Sequence, residues 1–169
     1  MKRLILTTLF VLAIIKVNYA QDAMTKAQAN FIYNFTKFFD WPQTEKSGDF
    51  IIGVLGSRGL FTDLQKVTTG KKNVTQNIVV KYFKNNAEIS KCHVIYVDAL
   101  KSSSLTNIHN KTGDHCLIIS NSNSSIAKGA AIQFIHEGDR LKYGFSKENA
   151  LKHGLKFHSK VSEMASKKY

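Results

Sequence analysis

The chain has 169 residues, with 24 Lys and Arg against 12 Asp and Glu and a formal charge of +12. A hydrophobic content of 43% with one proline and two cysteines excludes both a disordered polyelectrolyte and a disulfide-built miniprotein. The lysines are scattered, with no run beyond Lys71-Lys72 and Lys167-Lys168, so the charge reads as a solvated surface and no nucleic-acid partner is expected.

Residues 1–20 have the layout of a secretory signal peptide. Lys2 and Arg3 precede the apolar run Leu4 to Ile15, and the small residue Ala20 stands before Gln21. That run is too short to cross a bilayer as a mature helix. Three positive charges (Lys2, Arg3, Lys16) leave with the leader, so residues 21–169 carry +9. They are expected to form one exported α/β domain that does not span a membrane.

Residues 22–40 read as an amphipathic helix. Met24, Ala27, Phe31, Phe35 and Phe38 recur at helical spacing, Ile32 and Phe39 widen the arc, and Trp41-Pro42 ends it. The segment FIYNFTKFFDWP, residues 31–42, holds six aromatic side chains, and the phenylalanines are expected to face the core. Tyr33 falls on the opposite side, beside Thr36, Lys37 and Asp40. It either lies beneath another element or is offered to a partner.

Phe50 to Leu55 is an apolar run expected as a buried strand, followed by a short helix opening near Gly59. Further strands are expected over Asn77 to Phe83, Cys92 to Ala99 and His115 to Ser120, with a helix stopped by Gly113 before the last of these. Strands alternating with helices predict a mostly parallel sheet flanked by helices. Ala131 to Phe145 reads as a C-terminal antiparallel hairpin around Glu137-Gly138-Asp139, placed at the sheet edge. Ser146 caps a short helix that Gly154 ends, and a last helical turn precedes the C-terminus.

Chemistry-bearing motifs are sparse. The glycines of Gly53 to Gly59 run G-x-x-G-x-x-G, which is neither a dinucleotide fingerprint nor a P-loop, and an ordinary strand-to-helix turn is expected. There is no G-x-S-x-G or H-E-x-x-H, and His136-Glu137 is isolated. Cys92-His93 and His115-Cys116 resemble a zinc set, but adjacent residues on a strand point to opposite faces. No metal, cofactor or catalytic residue is therefore expected. Cys92 and Cys116 open consecutive predicted strands. If those strands pair, the alternatives are one disulfide or two buried thiols.

Four segments taken together resemble the YfiR/HmsC-like family of exported bacterial proteins. They are FIYNFTKFFDWP, FIIGVLG, KCHVIYV and the closing GAAIQFIHEGDRLKYGFSKENALKHGLKFHSKV. The resemblance implies a non-catalytic periplasmic regulatory protein. Its best-known members bind the periplasmic sensor region of an inner-membrane diguanylate cyclase, which lowers cyclic di-GMP and biofilm formation. It also implies a homodimer, and disulfides in some members. This chain has only Cys92 and Cys116, so a multiple-disulfide arrangement is not reproduced. Partner-interface candidates are Tyr33 and Trp41 in the first motif, with Phe134, Glu137, Arg140 and Phe145 in the last. The alternative is a small-ligand-binding domain, with Arg58, Tyr96 and Ser120 near the C-terminal ends of the strands.

Overall fold

The computed structural model describes residues 23–169; the expected leader lies outside them. The first helix, α1, covers 23–38 and runs straight into β1 (Phe39–Asp40). Then follow β2 (Phe50–Leu55), α2 (Arg58–Thr68), β3 (Lys72–Asn73), β4 (Gln76–Phe83), β5 (Val94–Val97), α3 (Leu105–Thr112) and β6 (Leu117–Ser120). The chain closes with β7 (Ile132–Glu137), β8 (Arg140–Phe145), α4 (Lys147–Lys152), β9 (Lys156–Phe157), α5 (Ser159–Glu163) and β10 (Lys167–Lys168). Among the described residues no helix is long and apolar enough to cross a membrane.

Eight strands form one sheet in the order β10-β8-β7-β6-β5-β2-β4-β3. The central pairs β4-β2, β2-β5, β5-β6 and β6-β7 are parallel, whereas β7-β8 and β3-β4 are antiparallel. This is the expected α/β architecture with a mostly parallel sheet. The hairpin β7-β8 is not the edge itself. β10 adds parallel to β8, pairing Lys167 with Gly144 and Lys168 with Phe145. A separate two-stranded ladder joins β1 to β9, with Phe39 opposite Phe157.

The buried strands divide their side chains between two faces, as period-two geometry requires. Phe50, Ile52 and Val54 of β2, Val94 and Tyr96 of β5, and Leu117 and Ile119 of β6 enter one core. Ile32 and Phe35 of α1 and Leu60 and Leu64 of α2 meet them there. Leu55, Ile95, Val97 and Ile118 point the other way, onto Leu105 and Ile108 of α3. Both faces are covered, so these strands read as continuous apolar runs. Gly53 interrupts β2 because a Cβ there would stand 2.7 Å from the Phe83 ring and 3.4 Å from Cys92 Sγ.

Helix ends follow their local chemistry. Ser57 Oγ accepts from the Leu60 N–H at 3.4 Å, and Ser146 Oγ from the Asn149 N–H at 3.3 Å. Gly154, at φ +63°, closes the α4 segment, as its position after Lys152-His153 predicts.

Candidate functional site

The first helix buries only part of the arc its apolar residues suggest. Ala29, Ile32, Phe35 and Phe39 are the fully buried apolar positions, and Gln28 and Thr36 are buried with them. Met24, Ala27, Phe31 and Phe38 are only half-buried. Met24, Phe31 and Phe38 are seven residues apart, which places them in one row along a flank of α1. The helix is rotated so that this row rims the core rather than filling it.

The row is lined on its far side by the C-terminal elements. Phe31 meets Phe134 and Tyr143 edge-on, with ring centroids 6.1 and 5.8 Å away. A depression of about 250 Å³ lies beside Phe31, Phe35, Phe38 and Tyr143, with Met164 at its lip. Met164 is 61% exposed, which is unusual for a large apolar side chain. A second hollow, about 190 Å³, lies between Ala23, Met24 and Ala27 and the hairpin tip at Gly138, Asp139 and Leu141. Together they make an apolar strip along α1. Exposed Lys26, Asn30, Asn34 and Lys37 run beside it.

Tyr143 holds the floor of this strip. Its hydroxyl donates to the Val161 carbonyl at 2.8 Å, and burial pushes its pKa up to about 12, so it stays a neutral donor. That bond ties β8 to α5 and thereby positions Met164.

The predicted interface residues separate into two sets. Trp41, Phe134 and Phe145 are buried. The Trp41 indole N–H donates to the His115 carbonyl at 2.9 Å, and its ring meets Phe50 edge-on at 4.8 Å. Phe145 packs on Phe39 and Phe157. Packing accounts for these three, and they reach a partner only through the surface they support. Tyr33, Glu137 and Arg140 are accessible. Tyr33 takes the ammonium groups of Lys37 and Lys71 against its ring, each 4.3 Å from the centroid. Glu137 pairs with Lys142 at 2.6 Å, while its cross-strand neighbour is Arg140. Both flank the hairpin tip, next to the N-terminal end of the strip.

The cysteines lie side by side, as consecutive paired strands require. Cys92 and Cys116 are buried thiols with sulfurs 3.9 Å apart. Its hydrogen bond with Cys116 and burial hold the Cys92 thiol well above its ordinary pKa. His93 turns to the opposite side. Its Nδ1 accepts from the Ile51 N–H at 2.9 Å, its Nε2–H donates to the Glu45 carbonyl at 3.0 Å, and its ring stacks on Phe50.

Residues proposed for a small ligand are not brought together. Tyr96 and Ser120 are buried, and the Ser120 hydroxyl accepts from the Ser122 N–H. Arg58 lies over the Tyr82 ring at 4.1 Å.

The order of these elements, from the aromatic first helix to the hairpin and closing helices, coincides with one family's sequence profile, which matches residues 25–166. The chain belongs to the YfiR/HmsC-like family. No curated protein matches it. YfiR/HmsC-like proteins are in general periplasmic and regulatory rather than catalytic, and their regulation works through a partner. The profile covers α1 from residue 25 and the whole β7-to-α5 segment. Of the stripe expected on α1, Ile32, Phe35 and Phe39 are fully buried and Phe31 and Phe38 pack against the core from its margin. The missed signal lay in Gln28, Ala29 and Thr36, small or polar residues that the fold buries.

Proposed function

We propose that this protein is a periplasmic repressor-type regulator that docks the sensor region of an inner-membrane diguanylate cyclase and lowers cyclic di-GMP signalling. The observation that carries the reading is the apolar strip of Met24, Ala27, Phe31 and Phe38, closed at its ends by the hairpin tip and Met164. Such a row suits an amphipathic helix or a hydrophobic segment laid along it. Lys26 and Lys37 at its border favour acidic flanks on that segment. In an oxidising compartment Cys92 and Cys116 are the pair within reach of a bridge.

The test is co-purification from membranes in mild detergent, with cyclic di-GMP measured in the same cells. Wild-type protein is expected to bring down a membrane protein carrying a cyclase domain. Phe38→Glu is expected to lose most of that partner and raise cyclic di-GMP, with the fold retained and the thermal midpoint lowered by only a few degrees. Full retention of the partner by Phe38→Glu would remove the strip from the interface. Light scattering on both proteins separates the competing occupant: a dimer that Phe38→Glu converts to monomer assigns the strip to a second copy of this chain.

A further inference from the structure

Two histidines on the opposite side of the molecule have a geometry that packing does not explain. His109 lies in the last turn of α3, and His153 follows α4 as its C-cap. Their rings stand 5.2 Å apart, centroid to centroid, at 44° to each other. The Nδ1 atoms of both are buried and have no hydrogen-bond partner. A buried polar atom left unsatisfied costs about 1–3 kcal/mol, so each such atom in a native site calls for a water, an ion or a ligand.

The other nitrogen of each ring is occupied. His153 Nε2 is 3.1 Å from the Gly129 carbonyl, which can only accept, so Nε2 carries the proton and Nδ1 presents its lone pair. His109 Nε2 lies 3.3 Å from the exposed Asp114 carboxylate, a contact that favours a proton on the same ring nitrogen. Carbonyl or carboxylate partners on the outer nitrogen are the usual support behind histidines that bind a metal through the inner one. Two imidazoles on one tetrahedral ion, with metal–nitrogen bonds of about 2.0–2.1 Å, bring their ring centres to roughly 5 Å. The observed spacing fits that arrangement.

We propose that His109 Nδ1 and His153 Nδ1 form a binding site for a borderline divalent transition metal of the Zn²⁺ class, with Gly129 and Asp114 orienting the rings. Imidazole nitrogen is the donor such ions favour over Mg²⁺ or Ca²⁺. Among the described residues no three His, Cys, Asp or Glu side chains already converge on one point. The pair is therefore the protein's ligand set, and water completes the coordination, which predicts micromolar rather than structural-zinc affinity. The His109 side chain is 43% exposed and provides the entry path. The site joins α3 to the end of α4, so an ion held there couples the helix on one face of the sheet to the segment leading into the strip's far wall.

The experiment titrates untagged, chelator-treated protein with Zn²⁺ by calorimetry and follows the histidine side-chain nitrogens by NMR. One equivalent is expected, with Nδ1 of His109 and His153 shifting and His93 unmoved. His109→Ala is expected to weaken binding by about tenfold or more. His109 is half-exposed, so this variant keeps the core; Asp114→Asn, fully on the surface, is a second variant expected to weaken binding several-fold. Absence of binding into the millimolar range overturns the proposal. So does one equivalent retained by His109→Ala, or a shift confined to the exposed His136 or His158.

Discussion

His93 shows how one buried side chain makes the fold sensitive to acid. Its Nδ1 serves as acceptor for the Ile51 N–H, so the ring can be held only while that nitrogen is unprotonated. Burial lowers its pKa below the ordinary 6.5, against the opposing pull of the Glu45 carbonyl and carboxylate; Lys91, paired with Glu45 at 2.9 Å, lowers it further. A lowered pKa means that the unfolded chain binds this proton more readily than the native one. The stability His93 contributes is therefore complete above about pH 6.5 and falls as pH drops through that value towards the native pKa. Urea midpoints are expected to decline from pH 7 to pH 5, and the His93 ring resonances to titrate with a midpoint below 6.5. A native midpoint above 6.5 would contradict the tautomer assigned here. None of this was legible in the sequence, because both partners, Ile51 and Glu45, are distant in the chain and one is a backbone N–H.

At the scale of the element, α1 separates what periodicity can reveal from what it cannot. The helical period of apolar residues and the Trp41-Pro42 stop located the helix. The centre of the buried arc was misplaced because hydrophobicity weights phenylalanine heavily and counts Gln28 and Thr36 against burial. Thr36 is nonetheless buried with its hydroxyl donating to the Tyr33 carbonyl at 2.7 Å, which removes the cost of placing it inside. The two classes of phenylalanine should behave differently. Phe35→Ala is expected to cost about 3–5 kcal/mol, because its ring packs on Phe31, Phe39, Phe134 and Tyr143. Phe38→Ala, from a half-open position, is expected to cost about 1 kcal/mol. Chemical denaturation of the two variants checks both, and equal losses would return Phe38 to the core. Short strands escaped the reading altogether. Two residues such as Phe39-Asp40 or Lys167-Lys168 carry no alternation to detect, and their pairing depends on where the rest of the chain has already gone.

The whole molecule combines a legible architecture with an illegible surface. Alternating strands and helices give the parallel sheet, since each crossover returns the chain to the same direction. Which flank of a helix stays open depends on packing among α1, β8 and α5, and no local pattern encodes it. Charge acts at this scale too. With +9 on residues 21–169 and lysines along the strip, association with an acidic partner is expected to be steered by the whole field. Raising salt from about 0.05 to 0.5 M should slow the association rate by an order of magnitude or so while altering dissociation little. Stopped-flow or biosensor kinetics with the captured partner test this, and a salt-insensitive on-rate would leave the lysines a role in solubility alone. Both sheet edges carry lysine as well, Lys72 on β3 and Lys167-Lys168 on β10, a placement that discourages pairing between molecules.

β10 is only two residues long, yet it covers the Gly144-Phe145 end of β8. Tyr169 anchors it, with its hydroxyl on Gln133 Oε1 at 2.6 Å and its ring filling the space over Gly144. A chain clipped after Ser166 would keep its core but bare the Gly144-Phe145 end of β8 as well, lengthening the edge open to a stray strand. Residues 167–169 thus shield that end of β8 from pairing with another molecule.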